Sequence, residues 1–449
     1  MYTILGAGLS GISASYHLGH ENCLLYEMNS YPGGHIISEI INGFTWDEGP
    51  HVSFTKNEYV KNLFADSVDS QYLEYNAEVG NFYKGAWIPH PAQSNFYAIP
   101  QPERDKCFFD FLKIRQEESN LFNKTTDNYR EWLIAAFGEF FYHEFSEVYT
   151  KKYWTVDPSV LTTDWIGERV YHPNVDEVKL GYYTFSAKNT HYITKIRYPK
   201  SGGFFSFVDK LRNNINIKYN KELELISFDK KSIQFKDGLS ISYQKLISTI
   251  PLPILIAKSN APAEIKLAAE DLSCSSVLLI NVAVKHPTKS KYNWIYVYDK
   301  DKYSTRISFT DLLSSTNTPE GQSGIQVEVY FSKYQPIVES HNFIANKVCK
   351  ELIEMGLIEN TLSIIDFHTK WVQWANVIFD FKRREALNSI LNYLEKFGLE
   401  RTEHDLLPMT DWNKVTPPSS SNSIFLAGRF AEWKYYWTDD CILRGKSFI

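Results

Sequence analysis

The hydrophobic pattern opens on a short apolar run, Tyr2-Thr3-Ile4-Leu5, closed by the glycine cluster Gly6-Ala7-Gly8-Leu9-Ser10-Gly11. The run predicts a buried parallel strand, and Ile12-Ser13-Ala14-Ser15-Tyr16-His17-Leu18 continues from the glycines as a helix. A second apolar run, Cys23-Leu24-Leu25-Tyr26, ends in Glu27. Thr55-Lys56-Asn57-Glu58 has the form of a capping box and predicts a helix burying Tyr59, Val60, Leu63 and Phe64. Residues 82–89 read as strand, turn, strand, and the proline-rich stretch to Pro102 as a connection.

From about Arg104 to Tyr149 the period lengthens to that of a helix, with Phe108, Phe111, Leu112, Trp132, Leu133, Ala136, Phe137, Phe140 and Phe141 on apolar faces. This predicts an inserted helical lobe. Residues 171–193 carry few periodic signals and read as a long surface segment, a candidate lid. A helix is expected around Phe207, Val208 and Leu211, then strands over 217–226, 232–235 and 246–250, with Asp237-Gly238 as a hairpin turn. Apolar runs at 277–284, 293–297, 305–309, 324–331 and 368–375 predict an antiparallel sheet, interrupted by an amphipathic helix at 341–356. A helix from about 383 to 397 leads through a polar Pro-Ser loop to a last buried strand ending at Gly428-Arg429.

The strand, glycine turn and helix at the start have the geometry a dinucleotide needs. Gly6 permits the tight turn, Gly8 lets the backbone approach a pyrophosphate, and Gly11 lets the helix pack on the strand. Glu27 ends the second strand, where a carboxylate can accept hydrogen bonds from a ribose diol. The fold expected is α/β: a Rossmann-like cofactor domain (1–100, 196–255 and 383–449), a helical lobe with the candidate lid (101–195) and an antiparallel sheet domain (256–382).

Composition narrows the function. A net charge of -6 carries no electrostatic footprint for nucleic acid. The five cysteines are scattered and odd in number, without a C-x-x-C pair, so neither a structural disulfide nor a metal site is expected. Met1 leads directly into the first strand without a signal segment, and no apolar run approaches the roughly 20 residues of a membrane span. A soluble cytoplasmic protein is the expectation. Aromatics make up 15% of the chain and most of them are expected to fill the core.

The second glycine pair, Gly33-Gly34, just beyond the ribose acid, resembles that of the FAD-binding amine-oxidase and nucleotide-sugar-mutase superfamily, which favours FAD over NAD. Four blocks then resemble the UDP-galactopyranose mutase family: Gly49-Pro50-His51 with Thr55; Tyr149-Thr150-Lys151-Lys152-Tyr153-Trp154 with Trp165-Ile166-Gly167-Glu168-Arg169; Thr305-Arg306-Ile307; and Gly428-Arg429-Phe430-Ala431-Glu432-Trp433-Lys434-Tyr435. The resemblance implies an FAD enzyme that interconverts pyranose and furanose forms of a nucleotide sugar for a surface polysaccharide. In that family the reduced flavin N5 attacks the anomeric carbon and the nucleoside diphosphate departs.

By the same resemblance His51, Arg169 and Arg306 are catalytic, with His51 beside the flavin ring. Gly6, Gly8, Gly11, Glu27, Gly33, Gly34, Gly428, Arg429 and Asp439 hold the cofactor, Asp439 in a segment covering the isoalloxazine. Arg306 and Tyr435 hold the diphosphate, Arg169 the substrate side of the cleft, and Tyr149 and Trp154 the nucleotide and sugar. Asn376 stands about where the family has a tyrosine touching the diphosphate, Phe54 where it often has a second histidine, and Trp437 where an acid is common. Homodimers are common in the family. The alternative reading is an oxidoreductase of the amine-oxidase or protoporphyrinogen-oxidase type, whose cleft should be apolar or an aromatic cage.

Overall fold

The computed structural model describes residues 1–117, 126–185, 195–402, 404–407, 409, 411–412, 417, 419 and 421–449. The first strand, Tyr2–Leu5, lies at the centre of a five-stranded parallel sheet. Its order is Ile424–Leu426, Lys245–Ser248, Tyr2–Leu5, Cys23–Tyr26 and Ile217–Lys218. Ile4, Leu25 and Ile247 in the three middle strands are fully buried, which is why each reads as a continuous apolar run. The Leu9–Leu18 helix packs on this sheet, and the Thr438–Lys446 helix packs on it in turn. Gly445 makes that contact close, since a Cβ there would fall 2.6 Å from the Ala14 nitrogen.

A second, seven-stranded sheet has the order Ile364–Val377, Cys274–Val284, Ser323–Phe331, Arg306–Phe309, Trp294–Val297, Val79–Tyr83 and Ala86–Pro89. It is antiparallel except where Trp294–Val297 runs parallel to Val79–Tyr83. The His341–Glu354 helix covers one face, with Ile344, Val348 and Leu352 against Leu278, Ile280 and Val282. Every residue of Ser323–Phe331 is buried, because the opposite face is covered as well. That opposite face carries polar groups: Gln326 donates to the Asp47 carbonyl (2.9 Å) and to Asn281 Oδ1 (2.8 Å).

Several expectations are corrected. The strand pair near residue 85 joins the large antiparallel sheet rather than the cofactor-binding segment to which it was assigned, because Val79–Tyr83 finds its partner in Trp294–Val297. The strand expected over 217–226 is two, Ile217–Lys218 in the parallel sheet and Leu223–Ser227 in a separate three-stranded one. The helix after Thr55 is capped by Asn57, whose side chain accepts from Val60 N, and begins at Glu58; Thr55 Oγ instead accepts from Asn57 N. In the segment read as an irregular surface stretch, Val175–Tyr183 is a helix with a full Asn174/Glu177 capping box. Gly181 fits it against the chain at Ser94, whose carbonyl oxygen would lie 2.0 Å from a Cβ. The rest of the candidate lid, 186–193, lies outside the described residues.

The helical lobe forms as expected from Glu103–Glu117, Tyr129–Phe137 and Glu147–Tyr153, the last entered through a π-helical turn at Tyr142–Ser146. Among the described residues no helix is long and apolar enough to cross a membrane, and no group of three or more His, Cys, Asp or Glu side chains could hold a metal ion.

Candidate active site

Three stretches of chain build a cradle at the end of the parallel sheet. Gly6 turns the chain with φ +95°, and Gly11 lies so close beneath that a Cβ would come within 2.0 Å of the Gly6 carbonyl oxygen. Gly8 caps the helix with no side chain, and above it is open space: a Cβ there would meet nothing within 4 Å. Gly33 N donates to the Ala7 carbonyl (2.8 Å), and Gly34 packs over Gly8. Gly428, at φ +106°, closes the third side against Ser10 and is fixed by donating to Glu432 Oε2 (2.9 Å).

The buried Glu27 carboxylate accepts from Ala7 N (2.7 Å) and Asn29 N (2.9 Å), one bond to each oxygen. Each oxygen retains acceptor capacity for a ribose hydroxyl. The helix N-terminus adds amide donors and positive potential beside the open space over Gly8. Among the described residues the buried Nε of Arg429 has no partner. An open approach to the backbone at Gly8, a ribose acceptor and an unsatisfied cationic donor together fit a flavin dinucleotide.

His51 enters this cradle from the turn after the Phe44–Asp47 strand. Its Nδ1–H donates to the Gly49 carbonyl (2.8 Å), which leaves Nε2 as the acceptor. Burial, reinforced by the charge of Arg306, pulls its pKa down to about 4, so the ring is neutral at physiological pH. Asp439 sits in the first turn of the Thr438–Lys446 helix and accepts from Asp440 N (3.1 Å). Burial and the neighbouring Asp439 push Asp440 up to about 6.

The antiparallel sheet and the helical lobe supply the facing wall. Arg306 and Glu328 are opposed across neighbouring strands, and the guanidinium forks onto the carboxylate (Nη2–Oε1 2.6 Å). Arg429 Nη2 donates to Asn376 Oδ1 (2.7 Å), which also accepts from Tyr153 Oη (3.1 Å). Tyr153 Oη in turn lies 3.1 Å from Tyr435 Oη. Two guanidinium groups lie over the Tyr435 ring, Arg169 at 4.7 Å and Arg429 at 4.6 Å from its centre, and Arg169 also donates to the Tyr435 carbonyl (2.9 Å). Tyr149 stacks on Tyr153, and Tyr330 packs on Tyr153 within the field of both Arg306 and Tyr435.

The residues expected from the sequence therefore gather in two adjoining sets. Gly6, Gly8, Gly11, Glu27, Gly33, Gly34 and Gly428 form the cradle. Arg169, Arg306, Asn376, Arg429, Tyr149 and Tyr435 form the wall, with His51 between the two within the field of Arg306. Trp154 is 5% exposed and packed between Trp165 and Tyr435, so it stands directly behind the Tyr435 ring of the wall. Phe54 and Trp437, the two departures from the family pattern, touch edge to face at 5.1 Å, and Arg169 stacks on Trp437 at 4.5 Å. Sequence reasoning did not single out Tyr153, Tyr330 and Glu328. For Glu328 there was a signal: Gln326 and Glu328 are spaced two apart within an otherwise apolar strand, so both point to one face.

This cradle and wall define a flavoenzyme, and the comparison with known families agrees. Residues 9–447 match the model of the flavin containing amine oxidoreductases, and the chain belongs to that family. Its cofactor is FAD. Within the family the fold is similar to a reduced UDP-galactopyranose mutase, with a TM-score of 0.87 at 23% identity over 99% of this chain and 93% of that one. It is also similar to a candidate protoporphyrinogen oxidase from Exiguobacterium sp. 255-15 (0.70, 13%, 99% and 96%) and to an engineered putrescine oxidase (0.60, 11%, 99% and 97%).

Proposed function

We propose that this flavoenzyme is a nucleotide-sugar mutase, interconverting the pyranose and furanose forms of a sugar carried on a nucleoside diphosphate. The observation that carries the reading is the gathering of Arg169, Arg306 and Arg429 around Tyr435 and its partners. Three guanidinium groups and a network of phenolic hydroxyls suit a departing diphosphate, whose charge grows as the glycosidic bond breaks. An oxidase acting on a cationic amine would instead be repelled by three guanidinium groups facing its substrate.

Bound reduced flavin supplies the nucleophile for the anomeric carbon. The chain's own groups position and stabilise. Arg306, held flat by Glu328, and Arg429, held by Asn376, receive the diphosphate oxygens with Tyr435, and Arg169 fixes the Tyr435 backbone from the substrate side. Tyr149 offers its ring to the nucleotide. His51, neutral with Nε2 unprotonated, adds no competing positive charge beside the flavin.

Incubating reduced enzyme with UDP- and TDP-sugars and separating the products tests this. A furanose isomer formed without stoichiometric consumption of reductant is expected. Oxygen uptake with an amine or a porphyrinogen, and no isomer from any nucleotide sugar, overturns it.

A further inference from the structure

The Glu147–Tyr153 helix serves two places. Tyr149 and Tyr153 face the arginine wall, while on another side Glu147, Lys151 and Lys152 line a second cleft of about 570 Å³, completed by the turn carrying Lys300, Asp301 and Lys302, by Gln335 and by Tyr330 at its border with the wall. This volume falls within the range of about 300 to 1,000 Å³ usual for small-molecule sites.

Three of the four lysines are accounted for. Lys151 pairs with Glu147 (2.6 Å) and Asp157 (3.1 Å), Lys302 with Glu354 (2.9 Å), and Lys300 reaches Glu144 only at 3.9 Å, from the solvent-exposed rim. Lys152 differs. Its largely buried ammonium donates to two main-chain carbonyls, Val297 O (3.2 Å) and Asp299 O (3.0 Å), and among the described residues it forms no ion pair. Glu351, the strongest negative influence on it, is already committed to Tyr303 N, Ser304 N and Ser304 Oγ. An ammonium has three protons to donate, and two carbonyls take two.

A desolvated cation without a counter-ion is unfavourable, and burial accordingly lowers the Lys152 pKa to about 8. An anion entering the cleft would relieve that cost. We propose that this cleft is a second binding site, for a phosphorylated small molecule, whose phosphoryl oxygens meet the Lys152 ammonium with Lys300 at the mouth. Lysine suits such a group as a point charge, and the concave cleft suits a small ligand rather than a flat surface. Tyr330 lies between this cleft and the arginine wall, and the proposed reaction makes no use of Lys152 or Lys300.

Pyridoxal 5′-phosphate tests it on the intact holoenzyme near pH 8. The aldehyde condenses with an unprotonated amine, releasing water, and added borohydride reduces the imine to a stable secondary amine that peptide mapping locates. Saturable modification at Lys152, suppressed to background by inorganic pyrophosphate and less well protected in Lys300→Ser, is expected. Lys300 stands at the mouth of this cleft and outside the arginine wall, so its variant separates protection here from pyrophosphate bound at the wall. Absence of modification at Lys152, or modification that pyrophosphate does not suppress, overturns the proposal.

Discussion

Arg306 and Glu328 are held in register across adjacent antiparallel strands, and their charged groups meet in a planar two-bond fork. The fork fixes the guanidinium plane while leaving other N–H groups for a ligand. Arg306→Ala should weaken binding of UDP to the reduced enzyme by about 1.5–3 kcal/mol, the usual worth of a hydrogen bond to a charged group. Arg306→Lys should not rescue it, because an ammonium cannot reproduce the fork. Glu328→Gln should instead retain UDP affinity and lose turnover, since the charge stays and its orientation goes. Calorimetric titration beside steady-state kinetics separates the two, and flavin absorbance should be unchanged in all three.

Tyr435 joins two effects in one side chain, a ring under two guanidinium groups and a hydroxyl bonded to Tyr153. Tyr435→Phe keeps the first and should cost about 1 kcal/mol of UDP affinity, one neutral hydrogen bond. Tyr435→Leu removes both and should cost roughly 1 kcal/mol more, the scale of a partly desolvated cation–π contact. Equal losses in the two variants would show that the ring face contributes nothing.

Two glycines of the same loop should fail in different ways. At Gly8 a methyl group meets no protein atom, so Gly8→Ala should fold with near-normal thermal stability and lose FAD. At Gly11 a methyl group collides with the Gly6 carbonyl oxygen, so Gly11→Ala should lower the melting temperature even of the flavin-free protein. Melting curves with and without FAD, read beside flavin absorbance, check both.

Asp47 gives a pH dependence with a defined sign. Buried, and accepting from Ser38 Oγ, Tyr198 Oη and Phe204 N, it is raised to about 6 by desolvation, above its ordinary value of 3.8. The folded state therefore binds the proton more tightly than the unfolded one. The stability this contributes is present below about pH 4 and is lost as pH rises through 6, about 3 kcal/mol in all. Asp47→Asn cannot titrate, so the stability difference between wild type and variant should shrink from pH 4 to pH 7. Denaturant titrations across that range measure it. The depressed pKa of His51 acts in the opposite sense, with stability lost as pH falls from about 6.5 towards 4, but it is common to both proteins and cancels.

How much of this was legible in the sequence follows from what fixes each feature. The cradle was readable because glycine, turn and terminal acid are local: Gly6, Gly8, Gly11 and Glu27 lie within 22 residues. The wall was readable in its residues but not in its contacts. Arg169, Arg306 and Arg429 come from three remote segments, and only tertiary packing brings Tyr435 beneath two of them. The Val79–Tyr83 strand was misassigned because period-two alternation reveals a strand without revealing its partner. The helix at Val175–Tyr183 escaped notice although Asn174 and Glu177 form a capping box, because Gly181 and a tyrosine pair break its apolar stripe. For Trp154 the sequence does not distinguish an aromatic that lines a binding motif from one that packs behind it, and its burial against Tyr435 is a matter of tertiary packing.

One contact reaches across almost the whole chain. Ser13, on the helix that follows the phosphate loop, donates to the carbonyl of Ile442, and Gly445 lets the two helices touch. During synthesis the nucleotide-binding loop therefore emerges early and waits, lacking its third wall and its buttress, until more than four hundred further residues have left the ribosome. Flavin capture is expected to wait for the segment that carries Ile442 and Gly445. Deleting the Thr438–Lys446 helix should yield a colourless protein, although every residue of the glycine loop is still in place.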